Sequence, residues 1–265
     1  MNEITIIVPS IRTHLWERFL NSIPYSCKKY SFIVIFVGPF YDKIISNLAH
    51  VEYIESYATP TNCFQVGTQA ADTKLILHTS DDSVFYEDAI DKCIDQFYLM
   101  NDKSVLNCRY REGTNFGQYE FPMAYWKAGT YPNVYGQKYV NPNWNLSLQQ
   151  ILYKDFFFQM GGFDCRFEFS NHAHADFAFR VQNYYGLVSH SNCEIANLEH
   201  LSDYNIDHKP VQDAQEGPDT ILFNEIWNNE QERFTISYDT LTNNYWTRRF
   251  NKKYNSYEEM INDKS

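Results

Sequence analysis

The sequence has no CxxC pair, no long Lys/Arg run and no apolar stretch of membrane-spanning length, and each absence removes a class of function. Six cysteines (Cys27, Cys63, Cys93, Cys108, Cys165 and Cys193) are scattered along 265 residues, without the spacing of a zinc knuckle or a dense disulfide framework. Free thiols in a reducing compartment are expected. Only 22 basic residues stand against 33 acidic ones, a net charge of −11, which argues against a nucleic-acid partner. The longest apolar run, Phe32 to Phe40, is far shorter than the roughly 20 residues of a spanning helix and reads as a buried strand. No membrane span is expected. The opening MNEITIIVPS has neither the basic start nor the apolar stretch of a signal peptide, so the expected location is the cytoplasm, of a bacterium or of a virus-infected host. The segment after the first strand, PSIRTHLW, holds one Arg and no Gly. A nucleotidyltransferase would be expected to carry a Gly-rich, basic phosphate loop there.

What is abundant is aromatic: 21 Tyr and 20 Phe, most of them core material, with some able to offer flat faces to sugar rings. The first hundred residues alternate regularly. Ile4–Val8, Phe32–Val37, Val51–Ile54 and Lys74–His78 are short β-rich runs without polar alternation, as in parallel strands buried on both faces. Helical spacing falls between them, at Thr13–Ile23, Tyr41–Ala49 and Thr61–Ala71 (capped by Thr61 or Asn62), and again at Glu87–Met100. This rhythm predicts an α/β fold with a mostly parallel, Rossmann-like sheet flanked by helices. From Tyr110 to Leu146 the rhythm is lost, and a small antiparallel addition is expected there. Asp176–Tyr185 reads as a helix, with Asp176 a possible cap, and Cys193–Leu198 as a last strand. The polar tail carries helical stretches near Thr220–Asn228 and Ser256–Ile261.

In open parallel sheets ligands bind beyond the carboxyl ends of the strands. Pro9-Ser10-Ile11-Arg12, Gly38-Pro39 and Ser80-Asp81-Asp82 lie at such ends. Adjacent carboxylates straight after a buried strand suit a hard cation, Mg²⁺ or Mn²⁺, which takes oxygen ligands and bridges to a diphosphate. The competing reading is an acidic helix cap.

Six segments in order resemble the family 2 glycosyltransferases, which have a GT-A fold and mostly invert. ITIIVPSIR resembles the first strand and donor-base loop. Asn62–Gly67 resembles ARNxG, with Gln65 where Asn is usual. LILHTSDDSVF resembles the strand and DxD-type metal motif, and Gly161–Phe167 the GGFDxxF signature. Asp176–Val181 resembles DLxxRL, and Leu198-Glu199-His200 the position of a further metal ligand. The resemblance spans Ile4 to His200. It implies a catalytic domain over 1–201, with 202–265 an extension packed on it. It further implies a metal held by Asp82, Asp81 and His200, a donor site at Pro9, Ser10, Arg12, Gln65 and Asp81, and an acceptor side at Gly162, Phe163 and Asp164. The expected donor is a nucleoside-diphosphate-sugar, a UDP-sugar favoured, and the acceptor a hydroxyl of a glycan or similar molecule.

Two departures stand out. Val37-Gly38-Pro39-Phe40 replaces the acidic turn that usually contacts the donor base. At the place of the family's catalytic Glu-Asp pair stands Ser170-Asn171-His172-Ala173-His174-Ala175-Asp176. An inverting transfer needs a group that takes the acceptor's proton, which leaves His174 and Asp176 as candidates. His172 and His174 could instead ligate a metal together from one strand face. A non-catalytic protein that binds glycans or nucleotide-sugars on the same fold is the alternative. Of the basic residues in the tail (His208, Lys209, Arg248 and Arg249 among them), one could assist a diphosphate, and sequence does not choose between them.

Overall fold

The computed structural model describes residues 2–113, 137–199, 207–229, 246, 248–250 and 252–263. Eight strands form one sheet in the order β3-β2-β1-β4-β7-β6-β8-β5. β1 (Ile4–Pro9), β2 (Phe32–Gly38), β3 (Val51–Glu55) and β4 (Leu75–His78) run parallel, while β7 (Gln150–Tyr153) and β5 (Ser83–Phe85) are antiparallel to their neighbours β4, β6 (Ser104–Glu112) and β8 (Leu187–Leu198). β6 and β8 pair in parallel. The fold is therefore mixed α/β, with a parallel half and an added mixed half.

Alternate residues of each strand serve opposite faces, which explains why β1 is apolar except for Thr5, whose hydroxyl bonds that of Thr73 at 2.7 Å. Ile6 and Val8 pack with Trp16, Phe19 and Phe36 on one side, and Ile7 packs with Phe64 and Phe157 on the other. Trp16, Phe19 and Ile23 come from α1 (Trp16–Ser26), and Phe64 from α2 (Pro60–Ala70). Gly67 lets α2 lie close: a Cβ there would stand 2.5 Å from Ile7 Cγ2. A third cluster joins Phe40, just beyond β2, to Trp246, Phe250, Tyr254, Tyr257 and Met260, so the C-terminal segment packs on the sheet's carboxyl edge. Among the described residues no helix is long and apolar enough to cross a membrane.

Several expectations are corrected. Tyr41–Ala49 holds only a 3-10 turn at Lys43–Ile45. Thr59 rather than Thr61 or Asn62 caps α2, its Oγ1 accepting from Asn62 N at 3.4 Å, and Pro60 at the first helical position reinforces that start. After α3 (Ala89–Phe97) and α4 (Lys154–Gln159), helix α5 begins at Ser170, not near Asp176, and runs to Asn183. His172 and His174 thus lie on a helix rather than sharing a strand face, and Asp176 is interior rather than a cap. The start of α5 lacks a side-chain cap. Asp219, from the stretch before α6 (Thr220–Asn228), accepts instead from the N–H groups of Glu168 (3.0 Å) and Phe169 (2.7 Å) just ahead of it. The middle segment expected to be antiparallel lies largely outside the described residues.

Candidate active site

The strand order turns back between β1 and β4, so the loops leaving these neighbours diverge and open a crevice. A cavity of about 600 Å³ lies there, the size of a typical small-ligand site. Its wall includes Pro9, Ser10 and Arg12 after β1, Gly38-Pro39 after β2 and Thr79–Asp82 after β4. Glu112 at the end of β6, His172 and His174 from α5, and Asp207, Trp246, Arg249 and Phe250 from the C-terminal segment complete it.

The two acids differ. Asp81 is 1% exposed and fastens the β1 loop to β4: its Oδ2 accepts from Ser10 Oγ (2.8 Å) and Arg12 N (3.2 Å), and its Oδ1 meets Arg12 Nη2. Ser10 Oγ in turn accepts from Trp16 Nε1 at 2.7 Å, which ties the loop to α1. Burial opposes the Arg12 charge, but Asp81 and Asp82 outweigh it and raise the guanidinium above its ordinary range. Asp82 is held by Ser80 Oγ and stands 3.9 Å from Arg12. Its backbone carbonyl accepts from Glu199 N at 3.0 Å, which joins β4's exit to the end of β8. Glu112 lies alongside, its carboxyl raised by burial and by Asp82.

Asp81 is thus committed to Arg12, while Asp82, with Glu112 near it, presents oxygen to the cavity. This set fits a hard divalent cation of the Mg²⁺ type, which uses one or two carboxylates and completes its shell with water and substrate phosphate. No trio of His, Cys, Asp and Glu side chains able to hold a metal occurs among the described residues. His200 lies outside them.

His174 lines the cavity, 2% exposed. Its Nδ1–H donates to the Ser170 carbonyl at 2.8 Å, which leaves Nε2 as a buried lone pair without a partner. Burial lowers its pKa to about 4, so it is neutral at pH 7 and about as basic as a carboxylate. His172 is likewise lowered to about 4 by burial. Asp176 does not line the cavity. Its Oδ2 accepts from Arg180 Nε (2.9 Å) and its Oδ1 from Trp227 Nε1 (3.1 Å), with Asp176 and Arg180 both fully buried.

The GGFD turn lies one layer behind the cavity wall. Gly162 has φ +66°, and a Cβ on it would stand 2.6 Å from Gln65 Nε2, which is why glycine is required there. Gln65 Oε1 accepts from Phe163 N at 3.0 Å. Gln65, expected at the donor, is thus a buried brace for this turn. Phe163 is fully buried, with its ring 4.5 Å from that of His174. Asp164 is paired with Arg166 at 2.6 Å. None of Gln65, Gly162, Phe163 and Asp164 lines the cavity.

Glu112 and Asp207 were not foreseen from sequence, Trp246 reads there only as packing the tail onto the main domain, and Arg249 was not singled out. Glu112 had a local signal, an acid that closes a long β run and precedes Gly113. The C-terminal residues reach the cavity only through tertiary packing. Burial draws the Arg249 guanidinium down to about 10, with Arg12 adding to the fall and Asp207 and Asp81 opposing it.

No family model matches the sequence, and neither does any curated protein. Among solved structures, the crystal structure of S. aureus TarS 1–349 is similar, with TM-score 0.54 and 15% identity over 87% of this chain and 67% of that one. The same TarS piece in complex with UDP is similar with TM-score 0.50 and 14% identity, over 74% of this chain and 60% of that one. The chain therefore spans about two thirds or less of the length of these neighbours. Likeness at this identity speaks for the fold, and the fold it shows is that of the GT-A-like glycosyltransferases.

Proposed function

We propose that the chain transfers a sugar, with inversion, from a nucleoside-diphosphate-sugar to a hydroxyl of a glycan or similar acceptor. The observation that carries this is the cavity at the turn-back of strand order, with Asp82 at its floor and a neutral, unpartnered imidazole nitrogen of His174 on its wall. A UDP-sugar is the favoured donor, since a structural neighbour is a complex with UDP. The loops after β1 and β2 offer Pro9, Ser10 and Gly38-Pro39 as the bed for the nucleoside. A cation, Mn²⁺ or Mg²⁺, held by Asp82 with Glu112 beside it would offset diphosphate charge when bound. His174 is preferred over Asp176 as the base because Asp176 is walled off by Arg180 and Trp227. In the transfer, the acceptor oxygen bonds to the anomeric carbon as the bond to the diphosphate breaks, and the acceptor proton passes to Nε2 of His174. A reducing cytoplasm suits six free cysteines, with the Cys93 and Cys193 sulfurs in hydrogen-bond contact at 3.7 Å and not joined by a disulfide.

The test is a panel of UDP-, GDP- and dTDP-sugars with the purified chain and Mn²⁺ or Mg²⁺, read as donor binding and turnover. No binding and no turnover with any donor would sink the proposal. Asp82→Ala is expected to abolish metal-dependent donor binding. His174→Ala should keep binding and lose transfer by about 10²- to 10⁴-fold; loss of binding in both variants, or in neither, breaks the assignment of roles. The low basicity of His174 favours one second reading, a non-catalytic nucleotide-sugar-binding protein. Donor binding without any turnover, unaltered by His174→Ala, would select it.

A further inference from the structure

The acids on the cavity wall (Asp81, Asp82, Glu112 and Asp207) would repel a diphosphate, so any positive groups facing them deserve a partner. Two arginines line the same cavity. Arg12 is 8% exposed, and only its Nη2 meets Asp81; its Nε and Nη1 are buried without hydrogen-bond partners. That leaves three buried N–H donors of one guanidinium unused, at the carboxyl end of β1.

Arg249 arrives from the far end of the sequence. Trp246 N–H donates to the Tyr57 carbonyl at 3.2 Å, and the Arg249 and Phe250 N–H groups donate back to the Trp246 carbonyl at 2.9 and 2.7 Å. Phe250 packs edge-on against Phe40 and Tyr57. These contacts place the Arg249 guanidinium over the Trp246 ring, 4.6 Å from its centre. Its Nε is also buried and unpartnered. The neighbouring cations are committed elsewhere: Arg248 to Glu168, and Lys209 to Asp213 at 2.8 Å. Two guanidiniums with unused donors lining one cavity, one of them stacked on a tryptophan ring, make a cradle for a multiply charged oxyanion.

We infer that Arg12 and Arg249 together form an anion subsite for the donor diphosphate, which makes the C-terminal segment part of the donor site. This deepens the proposed function and rests on it. Fixed guanidiniums also act without any cation, so part of the diphosphate affinity survives chelation.

The experiment titrates the full chain with UDP, uridine and inorganic pyrophosphate, each in EDTA and in Mn²⁺, for wild type, Arg249→Ala, Arg249→Lys and Lys209→Ala. Thermal melts check that each variant is folded. Wild type is expected to bind UDP and pyrophosphate in EDTA. Arg249→Ala should weaken both by about tenfold or more and leave uridine affinity unchanged. Arg249→Lys should recover part of the loss, and Lys209→Ala, which removes an equal charge from the surface, should match wild type. If UDP binds wild type and Arg249→Ala equally, or if uridine affinity falls as far as UDP affinity does, the inference is overturned while the donor reading stands. If neither UDP nor uridine binds wild type in either condition, the donor reading fails and the inference falls with it.

Discussion

Arg180 and Asp176 lie in the core at 0% side-chain exposure, whereas Arg12 and Asp81 lie at the cavity with 10% and 1%. Both are buried arginine–aspartate pairs, yet the core pair is fully hydrogen-bonded. Arg180 donates to Asp176, to the Gly162 carbonyl at 2.6 Å and to the Met160 carbonyl, while Asp176 also accepts from Trp227. The cavity pair leaves two guanidinium nitrogens without partners. Burial and pairing therefore do not distinguish a structural pair from one poised for a ligand. Hydrogen-bond completeness separates these two pairs, because buried donors are usually partnered.

The largest expected effect falls on the core pair. Asp176→Ala leaves Arg180 charged and buried without its carboxylate, a loss on the order of 3–5 kcal/mol, read as a fall in denaturant midpoint. Donor affinity per folded molecule should hold. If the variant kept wild-type stability but lost transfer, Asp176 would be acting on the acceptor, and the contrast between the pairs would collapse. Asp81→Asn should be milder, about 1–2 kcal/mol in stability, because Ser10 Oγ and Arg12 N keep an oxygen to donate to. Its main effect should be on donor binding, through a loosened Arg12. A stability loss equal to that of Asp176→Ala, with binding intact, would erase the distinction.

That distinction was only half legible in the sequence. β1, β2 and β4 could be read because parallel strands covered on both faces are nearly continuous apolar runs, and the two acids straight after β4 then had to lie at the sheet's carboxyl edge. Asp176 and Arg180 were harder: four residues apart in a helix they face the same way, but a helix begun at Ser170 with two histidines in its first turns shows no clear apolar stripe. Read from Asp176 onward, the same residues look like the start of a helix and an open acid. Gln65 and Gly162 are 97 positions apart, and no local pattern reveals that one braces the other. Arg249 reaches Arg12 only through the fold of the tail, which no periodicity encodes.

The smallest effect is expected where the two regions meet, at the α5 histidines. His172 and His174 have pKa values of about 4 in the folded chain because burial disfavours their charged form, against about 6.5 when unfolded. Between those values the unfolded chain binds more protons than the folded one, so stability rises with pH through this window and is lost as pH falls from about 6.5 towards 4. At pH 5.5 each histidine should cost about 1 kcal/mol relative to pH 7.5. His172→Phe tests this without touching the cavity pair. His172 already packs among aromatic rings, 6.1 Å from Phe167 and 5.5 Å from Phe223, so a phenyl ring suits the slot. Any misfit of the larger ring is independent of pH, so the slope is the quantity to read. The difference in denaturant midpoint between pH 7.5 and 5.5 should shrink by one histidine's share. An unchanged slope would mean that His172 titrates freely and that this end of α5 opens to water, in which case the His174 nitrogen beside it could not be held neutral by burial either.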